Sequence, residues 1–243
     1  MSETTQTAPS RGFLANLLDL YFSPRETFEA ILRAPRLGVV VPASVAVGLL
    51  FTAVWMSHLD PAVFLKKQMV ESGQWEKMTA EQRTAGLEAG ARIFPIFTWV
   101  ISVPAPIVVL LVVAGVLLFV FRFFYASEVT FSQAVAVVAW SFLAAGLVTV
   151  PLTLVVMRLR GDWNVNPQEV LAANPTLLLE KGTIAKPLWA LLGGLDLLSL
   201  WRVFLLASGF GVASKRGTGS AFWGVAACWV LIVLGQVTMA FLR

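Results

Sequence analysis

The chain has 243 residues, of which 58% are hydrophobic and 13% charged, with a formal charge of +4. An average soluble domain carries about 25% charged residues, so water is not this chain's main solvent. Its basic residues are spread over every connecting segment with no stripe of interleaved aromatics, which excludes nucleic-acid binding as the source of the basic balance.

The first ten residues, MSETTQTAPS, predict a disordered polar tail. They hold no basic region, and the first long apolar block begins only near Gly38, so no cleaved secretory signal is expected. Residues 11–36 predict two amphipathic helices in the headgroup region. In the first, Phe13, Leu14, Leu17, Leu18 and Tyr21 recur at helical spacing. In the second, Ser23 is placed to cap, Pro24 fits the first helical position and Glu26 is spaced for a capping box. Phe28, Ile31 and Leu32 form its apolar face, Glu29 and Arg33 stand at i, i+4, and Pro35 ends it. Such faces just ahead of a span are expected to point into the leaflet.

Residues 37–243 predict a five-span membrane domain, with spans at about 38–57, 93–121, 131–157, 188–213 and 221–242. Each block approaches or exceeds the ~20 residues that a helix needs to cross a bilayer. Pro42 falls in the first turn of its span, where it does little harm; Pro95, Pro104 and Pro106 interrupt the second, which should bend near Pro104 or begin afresh there; Pro151 should kink the third. The connection from His58 to Arg92 holds five basic and five acidic residues. In it Asp60-Pro61 and Gly73 bound one short helix, and Thr79 with Gln82 starts another. From Arg158 to Pro187, Asn166-Pro167 with Glu169 and Asn174-Pro175 predict small surface helices. Trp55, Trp99, Trp189 and Trp223 fall near span ends, where interfacial anchors sit. The short SKRGTGS turn and the Arg33, Arg36 pair favour a cytoplasmic N-terminus by the positive-inside rule.

The fourth span holds the least expected residues, Asp196, Ser199 and Arg202. A charge at mid-membrane costs about 2.5–3.5 kcal/mol on insertion scales, so these groups should face the bundle, pair or reach water. Their i, i+3 steps predict a polar strip. It reads as a structural clamp between helices, or as an ion or lipid-headgroup contact in a hydrated groove. Gly193-Gly194 marks a place where the helix could break. Gly209 and Gly211, with Ala207 and Ala213, offer a small-residue surface for close packing inside the bundle. One histidine, His58, and one cysteine, Cys228, give no basis for a metal centre built on those residues, and no phosphate-loop, dinucleotide, nucleophile-elbow or zinc-protease string occurs. No catalytic residue, cofactor or metal is therefore expected. Arg160-Gly161-Asp162 reads as a turn.

LYFSPRETFEAILRAPR, the span after it, AVAVVAWSFLAA in the third span and LDLLSLWRVFLLASGFGVASK in the fourth occur in an order and spacing that resemble the Yip (Ypt-interacting protein) domain family, its prokaryotic branch in particular. The likeness covers the chain from about Leu14 onward, and its Phe22, Ser23, Pro24 and Arg25 form a candidate interfacial motif. It implies an all-α, five-helix membrane domain with a cytoplasmic N-terminal region, in a bacterial or archaeal cytoplasmic membrane. Eukaryotic members are associated with Rab-type GTPases and vesicle traffic. The N-terminal region here lacks their long extension, so GTPase binding is not carried over.

Two functions are expected to compete. One is a non-enzymatic membrane scaffold or adaptor acting through membrane lipids, other membrane proteins or copies of itself. The other is a small-molecule, ion or lipid transporter using the Asp196, Ser199, Arg202 strip.

Overall fold

The structure is a computed structural model that describes residues 12–171, 174–179 and 184–241. The polar tail, Arg11 and residues 242–243 lie outside them. The described residues form helices and connections, with no strand. Among the described residues four helices are long and apolar enough to cross a membrane, or five if a bent pair counts as one span.

The central element is α7, Phe131–Arg160. Thr130 opens it with a capping box: its hydroxyl accepts the Gln133 N–H, and its own N–H donates to Gln133 Oε1 at 2.9 Å. Ala134 to Ser141, then Leu143, Ala144 and Ala145, are all buried. The alanines let neighbouring backbones approach closely enough to surround the helix. Against α7 pack α3 (Leu37–His58), α6 (Pro104–Phe123) and α9 (Leu197–Ala213). The last span, α10 (Thr218–Phe241), lies on α9 and on the shorter α8 (Lys186–Gly194).

Two predicted spans are broken at or beside the places the sequence marked. The second begins afresh at Pro104 rather than bending there. A single helix, α5, extends from Ala80 through Pro95 to Ser102, and α6 begins afresh at Pro104. Proline cannot donate to the preceding turn but fits the start of a new helix, so Pro104 and Pro106 restart the chain after Val103. The Thr79–Gln82 capping box starts α5 as its spacing predicts. The fourth span is broken at Leu195-Asp196, and its halves meet at 51°. Here Val233 of α10 occupies the space beside Gly194, within 3 Å of where a Cβ would stand.

The two N-terminal helices, α1 (Phe13–Phe22) and α2 (Pro24–Arg33), are present, but the apolar face of α2 is covered by protein. Phe28 and Ile31 are fully buried where α2 meets α7 and α9. Ser23 does not cap α2 with its side chain, so the expected capping box is not made. The Ser23 carbonyl instead accepts both the N–H and the hydroxyl of Thr27, at 3.1 and 2.8 Å. Glu29 meets Arg25 at 3.9 Å rather than the expected Arg33.

The two long connections fold against each other. Asp60 caps α4 (Pro61–Glu71) through the N–H groups of Ala62 and Val63, and Gly73 turns the chain with a positive φ. Asn166 and Asn174 cap single 3-10 turns at Pro167–Glu169 and Pro175–Leu178. Trp55 is no lipid anchor: its indole N–H donates to the Trp163 carbonyl at 3.0 Å, and its ring lies in a second apolar cluster with Leu59, Phe64, Met157 and Val170. The Asp60 N–H donates to Asn164 Oδ1 at 2.7 Å, and Lys67 pairs with Asp162 at 2.8 Å. Arg160-Gly161-Asp162 is the expected turn, with Gly161 in the left-handed region at the end of α7.

Candidate functional site

Asp196 stands in the break between α8 and α9, in an extended conformation that turns its carboxylate over the first turn of α9. Oδ2 accepts the Ser199 backbone N–H at 2.9 Å. The structure thus brings Asp196 and Ser199 together, through the Ser199 backbone and not its hydroxyl. An N-cap residue lies outside the helical spiral, so the regular i, i+3 strip does not form. Arg202 sits apart from the pair. Its guanidinium lies 5.8 Å from the centre of the Phe142 ring on α7, a cation–π distance, and it makes no ion pair with Asp196 among the described residues. Asp196 Oδ1 and Arg202 Nε are both buried without a hydrogen-bond partner.

The hairpin of α1 and α2 docks beside this segment. Tyr21 stacks on Trp201 at 5.7 Å and donates its hydroxyl to the Ala144 carbonyl at 2.8 Å. Burial pushes the Tyr21 phenol up from its usual range, so it remains a donor at neutral pH. Ala144 lies thirteen residues into α7, and Trp201 twelve residues from the end of α9. At 1.5 Å per residue the tip of the hairpin is therefore about 18–20 Å along both helices. Phe13 packs on Trp140 at 5.1 Å, whose indole donates to the Pro35 carbonyl just ahead of α3. The hairpin wraps the bundle at the level where the first span begins.

Of the candidate interfacial motif, Phe22 points outward and is 85% exposed, while Ser23 donates its N–H to the Asp19 carbonyl at 2.7 Å. Pro24 occupies the first position of α2, and Arg25 is exposed beside Glu29. The helix before it presents two apolar faces. Leu17 and Leu20 are buried against the bundle, whereas Leu14 (70% exposed) and Leu18 (61%) line up with Phe22 at i, i+4, i+8. The sequence pattern had merged these faces.

Asp60, Asp162 and Asp196 each serve a local partner: the start of α4, Lys67 and the start of α9. Among the described residues no three of His, Cys, Asp and Glu gather as a metal site would require. Sequence reading missed the interlocked loops, whose Trp55–Trp163 and Lys67–Asp162 contacts span about a hundred residues and leave no local signal. It also missed the Thr130–Gln133 box, which carried one.

A family model for the Yip1 domain matches residues 18–239. The chain belongs to the Yip1 family. The match takes in α2 through α10 almost completely, and with the apolar helices it makes this Yip1-family chain an integral, multi-pass membrane protein. No curated protein and no solved structure matches it.

Proposed function

We propose that this Yip1-family chain is a non-enzymatic membrane scaffold or adaptor, whose N-terminal hairpin lies in the plane of the cytoplasmic leaflet of a prokaryotic membrane. It works through contacts with lipids and with other membrane proteins or copies of itself. The observation that carries the reading is the divided surface of α1. Leu17 and Leu20 fix the helix to the bundle, and Leu14, Leu18 and Phe22 are left as an outward apolar stripe at the level where α3 starts. An in-plane helix sits with its apolar face about 5–10 Å into the headgroup and acyl boundary. Arg33, Arg36, Arg122, Lys215 and Arg216 stand beside the start of α3, the end of α6 and the start of α10, and the positive-inside rule weighs such short connections toward a cytoplasmic face.

The test places a fluorophore at Leu18→Cys, in a chain carrying Cys228→Ala, and adds brominated lipids. Quenching well above that of a Ser72→Cys probe in the outer connection is the expected result. Equal quenching at the two positions would overturn the placement of α1. For the scaffold role, gently extracted protein should retain partners, copies of itself or lipids in a native mass spectrum, and a bare monomer would speak against it.

Transport is supported by one observation, the two unsatisfied polar atoms of Asp196 and Arg202 within the broken span. That reading requires Asp196→Asn and Arg202→Ala to change flux in liposomes. Unchanged flux in both variants rejects it.

A further inference from the structure

Along one side of α6, Gly115, Leu118, Phe119, Arg122 and Phe123 line a shallow groove of about 430 Å³. They fall at i, i+3, i+4, i+7 and i+8, so they share one face of the helix. Gly115 forms a notch, since a Cβ there would meet nothing within 4 Å. The walls are ordered aromatics: Phe119 stacks on Phe123 at 5.5 Å, and Phe123 meets Phe124 edge-on at 5.0 Å. Both Phe119 and Phe123 are largely exposed. At the mouth stands Arg122. Its Nε donates to the Val129 carbonyl at 2.9 Å, which ties one edge of the guanidinium to the 124–130 turn and leaves the terminal N–H groups for another acceptor. Arg216 holds the same turn, donating to the Tyr125 carbonyl at 2.8 Å. Glu128, the acid of that turn, makes no ion pair with either arginine among the described residues.

We infer that this groove binds one anionic phospholipid, with a phosphate on the Arg122 terminal N–H groups and an acyl chain laid past Phe119 to Gly115. Three features point to that occupant. The groove runs about 10 Å from Arg122 to Gly115 at 1.5 Å per residue, from the end of a span toward its centre, as a lipid does. A guanidinium matches a phosphate in shape and charge. A second cation on the same turn favours a net negative headgroup over a zwitterionic one. The inference needs the chain to lie in a membrane, which its family and spans establish, and does not depend on the scaffold reading.

The test uses the full chain in detergent with added phosphatidylglycerol or phosphatidylcholine, read by native mass spectrometry. Wild-type protein should retain phosphatidylglycerol about tenfold better, because both lipids offer the phosphate but only phosphatidylcholine adds a choline cation, which the Arg122 and Arg216 charges repel. Arg122→Gln should lower that preference toward equality, and Arg160→Gln, at the opposite end, should leave it unchanged. Gly115→Leu puts a side chain into the notch from a Cβ that meets nothing within 4 Å, and should cut retention severalfold with no loss of melting temperature. Because Arg122→Gln also gives up the bond to Val129, Gly115→Leu decides the matter if that variant folds poorly. Equal retention of the two lipids by the wild type, or wild-type retention by Gly115→Leu, would overturn the inference. Failure here would leave the Leu18 quenching result standing.

Discussion

At Gly209 of α9, Val137 of α7 and Phe28 of α2 both crowd the backbone, and a single methyl there tests the packing. A Cβ at Gly209 would press on both methyls of Val137 and stand 3.1 Å from Phe28 Cε1. Val137 and Phe28 are fully buried, so neither has open space to enter. Overpacking of this kind costs about 1–3 kcal/mol. Alanine in a helix interior recovers about 1 kcal/mol over glycine, which leaves Gly209→Ala between neutral and about 2 kcal/mol destabilised. Gly48→Ala and Gly235→Ala are the controls, because a Cβ at either meets nothing within 4 Å and only the helical gain applies. For a chain of this size about 2–4 °C accompanies each kcal/mol, so Gly209→Ala should melt roughly 2–12 °C below the controls in a detergent thermal scan. Val137→Ala opens the space that the new methyl needs. The double variant should therefore be more stable than the two single losses predict, by about 0.5–3 kcal/mol. Melting of Gly209→Ala level with the controls, or strict additivity with Val137→Ala, would refute the three-helix contact.

The Lys67 hydrogen bond holds the Asp162 carboxyl below its ordinary range, with the Asn164 N–H assisting and partial burial opposing. A depressed carboxylate stabilises above its unfolded value of about 3.9 and loses that contribution as pH falls through the folded one. Both side chains are about 40% exposed, so the pair is worth at most about 1 kcal/mol. Asp162→Asn should lose this contribution of up to about 1 kcal/mol at pH 7, where it is fully present, and converge with the wild type as pH falls below about 4, which flattens the acid limb of thermal stability. Asp196→Ala removes the cap of α9 and should cost about 1 kcal/mol in the same scan, whereas Asp196→Asn, also a good cap, should cost far less; equal losses would show that the charge and not the cap matters. Thiol labelling from one side of the membrane should reach Ser72→Cys and Glu128→Cys from opposite sides, both in Cys228→Ala protein. Labelling of both from one side would refute the odd number of spans between the α4 connection and the 124–130 turn.

Legibility followed the range of each interaction. Asp60, Thr79, Asn166 and Asn174 announce helix starts because a cap is made within three residues. Ser23 carried the same spacing and does not cap, since the turn of the docked hairpin holds it at φ −139 and ψ 61, outside the extended conformation from which the other four cap. Asp196, Ser199 and Arg202 looked like one face of a regular helix; the break at Leu195-Asp196 makes the first a cap and leaves the third over Phe142.

The sequence by itself determined that this chain is an all-α membrane protein, roughly where its spans run, and which family it resembles. Apolar length, proline position and capping chemistry are local properties that survive without knowledge of neighbours. Only the tertiary structure decided which apolar face of α1 meets protein and which is left outward, that Trp55 fastens one loop to another, and that Gly209 admits Phe28 against Val137. In a chain this apolar, hydrophobicity does not separate a surface for lipid from a surface for protein. Shape complementarity does, and it exists only once the helices are assembled.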